Sequence, residues 1–188
     1  GEAVVVITDS AADLPDGLAE KLNVHCVALR VSFGETDYLD KVGLSTREFY
    51  HKLRTELVLP KTSQPSPGDF RRQFEFLLSH HPHMVYVGLS RAVSGTLQSA
   101  EAAAKRGHAE RIHLFDSANA AGGQGLLVIA AAEAAQRGCS PTEIIGLLEN
   151  LKAQTLTWAC TTDVSHAVRG GRVPRWAGTV AGWFGLTA

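Results

Sequence analysis

The feature that most constrains this chain is an alternation of short, uninterrupted apolar runs with capped amphipathic helices. Val4 to Thr8 is a continuous apolar run of the kind that fills a buried parallel strand. Asp13 is expected to cap a following helix with Pro15 in its first turn and Leu14, Leu18 and Leu22 on one face. His25 to Phe33 reads as a second strand, ended by the turn-like Gly34-Glu35-Thr36-Asp37. Ser45 with Glu48 three residues later forms a capping box for a helix carrying Phe49 and Leu53. Ser66, Pro67 and Asp69 open another, whose stripe is Phe70, Phe74, Leu77 and Leu78.

Met84 to Leu89 is the third strand, followed by a Ser/Gly/Thr loop at 90–96 and an Ala-rich helix to about Arg106. A strand over Ile112 to Phe115 and a helix from about Gly122 to Gln136 come next. Ser140, Pro141 and Glu143 start a helix with Ile144, Leu148 and Leu151 on one face, and Thr155 to Thr161 reads as a final strand. Strands that alternate with helices and are apolar throughout predict an α/β fold, a parallel sheet flanked by helices on both faces.

Size and charge exclude several functions. A chain of 188 residues holds one domain, or one and part of another. Its 18 Lys and Arg against 19 Asp and Glu give a net charge of −1 without long runs of either sign, so no field to recruit nucleic acid or an anionic membrane is expected. Cys26, Cys139 and Cys160 stand far apart in no CxxC arrangement, which points to a reducing, cytoplasmic setting without a zinc site or disulfide framework. The N-terminus carries no basic signal region, and the longest apolar stretch, Leu126 to Ala132, is far short of a membrane span.

The tail breaks the pattern. After Thr161 comes the turn-like Arg169-Gly170-Gly171-Arg172-Val173-Pro174, then a helix candidate with Trp176, Val180, Trp183 and Phe184 on one face. Residues 1–157 are therefore expected to form the N-terminal α/β domain, and residues 158–188 the truncated start of a second one. A face so apolar and without an encoded cover is expected to pair with a second copy of the chain.

Ligands of open parallel sheets bind beyond the carboxyl ends of the strands. The residues there are small and hydroxylic: Thr8, Asp9 and Ser10; Thr62-Ser63-Gln64-Pro65-Ser66; Ser90, Ser94, Gly95 and Thr96; Asp116 and Ser117. Each group precedes a helix, where free N–H groups favour an anionic oxygen, although residues of these types also serve simply as helix caps. There is no Gly-Lys pair for a P-loop, and Gly123-Gln124-Gly125 lacks the third glycine of a dinucleotide fingerprint at Val128. His80, His81 and His83 read as helix-terminal residues in preference to metal ligands. No metal and no cofactor are expected. Gly88-Leu89-Ser90-Arg91-Ala92 approximates a nucleophile elbow, with Asp116 and His166 following in hydrolase order, but Ala92 replaces the last glycine. A serine esterase or thioesterase using Ser90 remains the alternative reading.

Five segments in this order resemble the DegV family of bacterial fatty-acid-binding proteins: Thr8 to Pro15, Thr62 to Ser66, Ser94 to Ala100, Asp116-Ser117 with Gly123 and Gly125, and Arg169 to Arg172. The resemblance implies a non-catalytic carrier that holds one long-chain fatty acid, such as palmitate, between two α/β domains and presents it to a fatty acid kinase. It implies Thr62 and Ser94 as carboxylate ligands, with Ser63, Gly95 and Thr96 beside them, and Arg169 and Arg172 on the partner-docking side. The C-terminal histidine that the family adds to the carboxylate site has no counterpart in this sequence.

Overall fold

The computed structural model describes residues 3–160 and 168–173. The chain divides into two units, Gly1–Thr157 and Trp158–Ala188. In the first, β1 (Val4–Asp9), β2 (Val24–Val27), β6 (His83–Gly88) and β7 (Ile112–Asp116) form a wholly parallel sheet in the order β2-β1-β6-β7. The chain first moves from β1 outward to β2 and later returns to β6 on the other side of β1. The order therefore reverses between β1 and β6, where an open sheet leaves a crevice at the strands' carboxyl ends.

Helices cover both faces, as the continuous apolar strands require. Val4, Val6, Val85, Val87 and Phe115 pack on one side against α5 (Ala121–Gln136) and α6 (Pro141–Lys152), through Leu127, Val128, Ala131, Ile144 and Leu148. The alternate strand residues Val5, Ile7, Met84 and Tyr86 face α3 (Pro67–Leu78) and α4 (Thr96–Ala104), through Phe70, Phe74, Leu77 and Leu97. Each fully buried side chain of this kind stabilises the fold by about 1.5–3 kcal/mol. Ser66 and Ser140 close capping boxes with Asp69 and Glu143, and Pro follows at the first helical position of both helices.

Four sequence expectations are corrected. The run from His25 to Phe33 is two strands in two sheets. It breaks after Val27, and β3 (Arg30–Phe33) joins β4 (Thr36–Leu39) and β5 (Lys61–Ser63) in a small antiparallel sheet ordered β4-β3-β5. The turn that ends this run is shorter than expected: β3 stops at Phe33, a hairpin turn over Gly34-Glu35 follows with Gly34 at φ +61°, a conformation that costs glycine little, and Thr36 and Asp37 already belong to β4. Asp13 caps no helix. It is itself left-handed (φ 47°) at the end of a 3-10 turn over Ser10–Ala12, its carboxylate pairs with Lys41, and the short α1 (Leu18–Lys21) begins after Gly17. Residues 155–160 form no strand.

Under the small sheet, Val31, Phe33 and Leu44 make a separate core with Tyr38 and with Phe49 of α2 (Thr46–Thr55). In the second unit, Arg169, in a helical position, and Arg172, just past the Gly170-Gly171 turn, are both exposed, and the Arg172 guanidinium donates to the Gly170 carbonyl at 2.9 Å. The helix expected to carry Trp176, Val180, Trp183 and Phe184 lies outside the described residues, as does His166. Among the described residues no helix is long and apolar enough to cross a membrane.

Candidate functional site

The reversal between β1 and β6 is occupied by polar groups on an apolar floor. Thr8 donates its hydroxyl to the Val87 carbonyl at 2.7 Å, joining the two strands side chain to backbone. Asp9 is fully buried and accepts from the Tyr86 hydroxyl at 2.7 Å and from the Leu89 N–H at 2.9 Å. Gln124, from the first turn of α5, donates to Thr8 Oγ1 at 3.2 Å and to Asp9 Oδ1 at 3.1 Å. Burial drives the Asp9 carboxyl pKa upward, against the lowering effect of the Leu89, Tyr86, Gln124 and Ala11 donors. Sequence reading placed Thr8 and Asp9 at a ligand-bearing strand end. It missed Tyr86 and Gln124, whose only signal is a polar group inside an otherwise apolar strand or helix.

From this floor the chain runs through Leu89 to Gly95 into α4. Ser90 N–H donates to the Asn119 carbonyl at 2.9 Å, which fixes the loop beside the start of α5. Ser94 is half-buried; its Oγ accepts from the Thr96 N–H at 3.2 Å and lies 2.8 Å from the Thr96 hydroxyl. Ser94 thus takes one first-turn amide of α4, while those of Leu97 and Gln98 have no intrahelical partner by helix geometry. Thr96 itself is fully buried with its hydroxyl turned to Ser94. The loop's cation, Arg91, is held between Glu101 (2.7 Å) and Asp116 (3.3 Å).

Thr62 and Ser63 lie on β5, opposite Val31 and Arg30 of β3. Successive strand residues point to opposite faces, so Thr62 shares the face of Val31 and Tyr38, and Ser63 that of Arg30 and Leu39. Both hydroxyl residues are exposed. The segment reaches the α4 loop through Gln64, whose Nε2 donates to Ser99 Oγ at 3.1 Å and whose amide lies against Gly95. The Thr62–Ser66 and Ser94–Ser99 segments, 35 residues apart at that bond, are brought together in this way.

Ser90 does not have the environment of an activated nucleophile. It is buried, its Oγ accepts from the Ala92 N–H at 3.3 Å, and Asp116 binds Arg91 and the Ala118 N–H. Among the described residues it forms no hydrogen bond to a histidine. Nor do these residues contain a group of three or more metal-ligating side chains. His80 bonds the Phe76 carbonyl of its own helix, as a helix-terminal histidine does.

Fold and site together define a parallel α/β domain covered by helices on both faces, with hydroxyl-bearing loops at the carboxyl ends of its strands. The model of the family described as "Uncharacterised protein, DegV family" matches residues 3–187, and the chain belongs to that family. It is 33% identical over 171 residues to Protein DegV of Bacillus subtilis and 37% identical over 171 residues to a DegV domain-containing protein of Halalkalibacterium halodurans. These matches cover 90% of this chain and 61% and 60% of the two relatives, so the chain spans about three-fifths of their length.

Among solved structures, a DegV family protein from Thermus thermophilus described for its fatty acid binding matches with TM-score 0.75 and 34% identity, over 80% of this chain and 54% of that one. DegV from Bacillus subtilis, described as a fatty acid binding protein, matches with TM-score 0.83 and 29% identity over 100% and 66% of the two chains. A stearic-acid-binding protein from Eubacterium ventriosum matches with TM-score 0.78 and 26% identity over 94% and 62%.

Proposed function

We propose that this chain forms part of a carrier for one long-chain fatty acid, with the carboxylate held by the hydroxyls of Thr62 and Ser94. Ser63, Gly95 and Thr96 complete the surroundings of the head group, Gly95 by leaving room and Thr96 by orienting Ser94. The observation that carries this reading is the Gln64 link between the two hydroxyl segments, in a family whose similar solved members are described as fatty-acid-binding.

The chemistry fits such a ligand. Burying about 15 methylenes at ~0.8 kcal/mol each makes roughly 12 kcal/mol available before the entropy of ordering the ligand is subtracted. The tail thus supplies affinity. The head group must be satisfied, because a buried carboxylate without donors costs several kcal/mol; two hydroxyls and the α4 amides supply donors that an alcohol or alkane does not need. With Arg91 already paired to Glu101 and Asp116, these donors hold the acid without a guanidinium that would retain it against transfer. In the proposed cycle the carrier is not itself an enzyme. It acts in the cytoplasm and offers the carboxylate to a fatty acid kinase, docked on the side of Arg169 and Arg172.

Extraction of the intact protein carrying this chain, followed by mass spectrometry of the released lipid, tests the reading. One equivalent of a free long-chain acid is expected. Protein that yields no acid and binds none on addition of palmitate contradicts it.

A further inference from the structure

The last residue of β1 is a carboxylate with no cation among the described residues. Asp9 Oδ1 accepts from the Ala11 N–H at 3.2 Å and from Gln124 Nε2 at 3.1 Å, and Oδ2 from the Tyr86 hydroxyl at 2.7 Å and the Leu89 N–H at 2.9 Å. None of the ion pairs among the described residues includes it. Burying a charge in this way is costly, and a neutral side chain of the same shape avoids that cost.

What an isosteric amide does not supply is acceptors on both sides. An asparagine presents one carbonyl and one NH2 group, and turned either way its NH2 group would face a backbone N–H, of Ala11 or of Leu89, that cannot accept. A carboxyl group accepts both backbone N–H bonds, either ionised or, with its proton donated to the Tyr86 hydroxyl oxygen, neutral. Two of the four groups bonded to Asp9 belong to the path of the head-group loop. Tyr86 is in the last turn of pleat before the end of β6, and Leu89 is the first residue beyond it. The other two tie the same carboxylate to the turn after β1 and to the start of α5. Leu89 is followed by Ser90, pinned to Asn119, and then by the stretch that delivers Ser94 to the N-terminus of α4.

We propose that Asp9 is the positioning residue of the head-group site: acting through Leu89, its carboxylate sets the course of the Leu89–Thr96 loop so that the Ser94 hydroxyl and the first-turn amides of α4 converge on the ligand carboxylate. This rests on the fatty-acid reading given above and adds to it the origin of selectivity for an acid over a neutral head group. Asp9 does not touch the ligand. Its effect is on geometry, since hydrogen bonds to an anion are worth most when the donors are held in place beforehand.

The test compares palmitate with 1-hexadecanol, a neutral ligand of the same tail length, in the intact protein carrying this chain. Wild type is expected to prefer the acid. Asp9→Asn is expected to reduce the acid-to-alcohol affinity ratio by about tenfold while the alcohol affinity changes by less than about threefold, because the tail's surroundings are untouched. Tyr86→Phe keeps the carboxylate and its Leu89 bond but removes one anchor, and should lower the ratio in the same direction by about two- to fivefold. If Asp9→Asn does not fold, the Tyr86→Phe ratio decides. A ratio unchanged in the folded variants, or equal losses for acid and alcohol, overturns the positioning role. Wild-type protein that shows no preference for the acid overturns the fatty-acid reading itself, and this inference with it.

Discussion

The side-chain amide of Gln64 lies directly over Gly95: a Cβ at position 95 would clash with Gln64 Oε1 and stand 3.0 Å from Cδ and Nε2. The same amide donates to Ser99 Oγ at 3.1 Å. The absence of a side chain at 95 is thus what lets the Thr62 segment close on the Ser94 segment.

Gly95→Ala should separate function from folding. Only the end of an exposed side chain has to give way, so the unfolding free energy should fall by less than about 1 kcal/mol. Displacing Gln64 removes its bond to Ser99 and loosens the two hydroxyl segments, so palmitate affinity should fall by about fivefold or more. Titration calorimetry beside urea unfolding of the same variant checks both numbers.

Gly125→Ala should do the opposite. There the added Cβ would meet the backbone carbonyl of Ala12 at 2.5 Å, and neither α5 nor the 3-10 turn after β1 can move away cheaply. A loss of about 1–3 kcal/mol in denaturant unfolding is expected.

The pH dependence of stability should carry the mark of Asp69. Burial alone would raise its pKa, but the Ser66 hydroxyl and N–H and then the Arg30 guanidinium, 3.2 Å away, outweigh it and hold the carboxyl at about 2 against an ordinary 3.8. A lowered folded-state pKa means that the stabilisation is complete above pH 3.8 and is lost as the pH falls from there toward 2. The loss should be about 2 kcal/mol and should be much smaller in Asp69→Asn, as followed by thermal or urea unfolding across that range.

How much of this was legible beforehand depended on whether the signal was local. β1 and β6 were found as uninterrupted apolar runs, and α2, α3 and α6 from the Ser-x-x-acid boxes that satisfy their own first amides. The division of His25 to Phe33 was not legible, because no Gly or Pro marks it. It depends on long-range partners: Leu29 N–H bonds Ser10 Oγ, and Arg30 reaches Asp69. β4 was read as a turn because an edge strand with exposed Thr36, Asp37 and Leu39 lacks an apolar face. The proposed head-group residues Thr62, Ser63, Ser94, Gly95 and Thr96 follow from the family resemblance, but the Gln64 bond to Ser99 that joins their two segments required the fold. Asp9 stood out as a polar residue ending an apolar strand, yet its partners Tyr86 and Gln124 lie 77 and 115 residues away.

Arg172→Ala should distinguish holding the acid from passing it on. Arg172 lies exposed on its turn, bonded only to the carbonyl of Gly170 among the described residues. In the proposed docking role this charge acts on the encounter with the kinase, so phosphorylation of bound palmitate should fall by about tenfold with palmitate affinity unchanged. Parallel losses of both would assign the guanidinium to the fold.

The most direct measurement is palmitate affinity in the intact protein carrying this chain, for wild type, Thr62→Val, Ser94→Ala and the double variant. Each single change removes one hydroxyl donor from the proposed carboxylate site and should cost about 1–3 kcal/mol, and the double variant should lose nearly all preference for the acid over 1-hexadecanol. Wild-type affinity for palmitate in the folded double variant would contradict the account, since the carboxylate would then be held elsewhere.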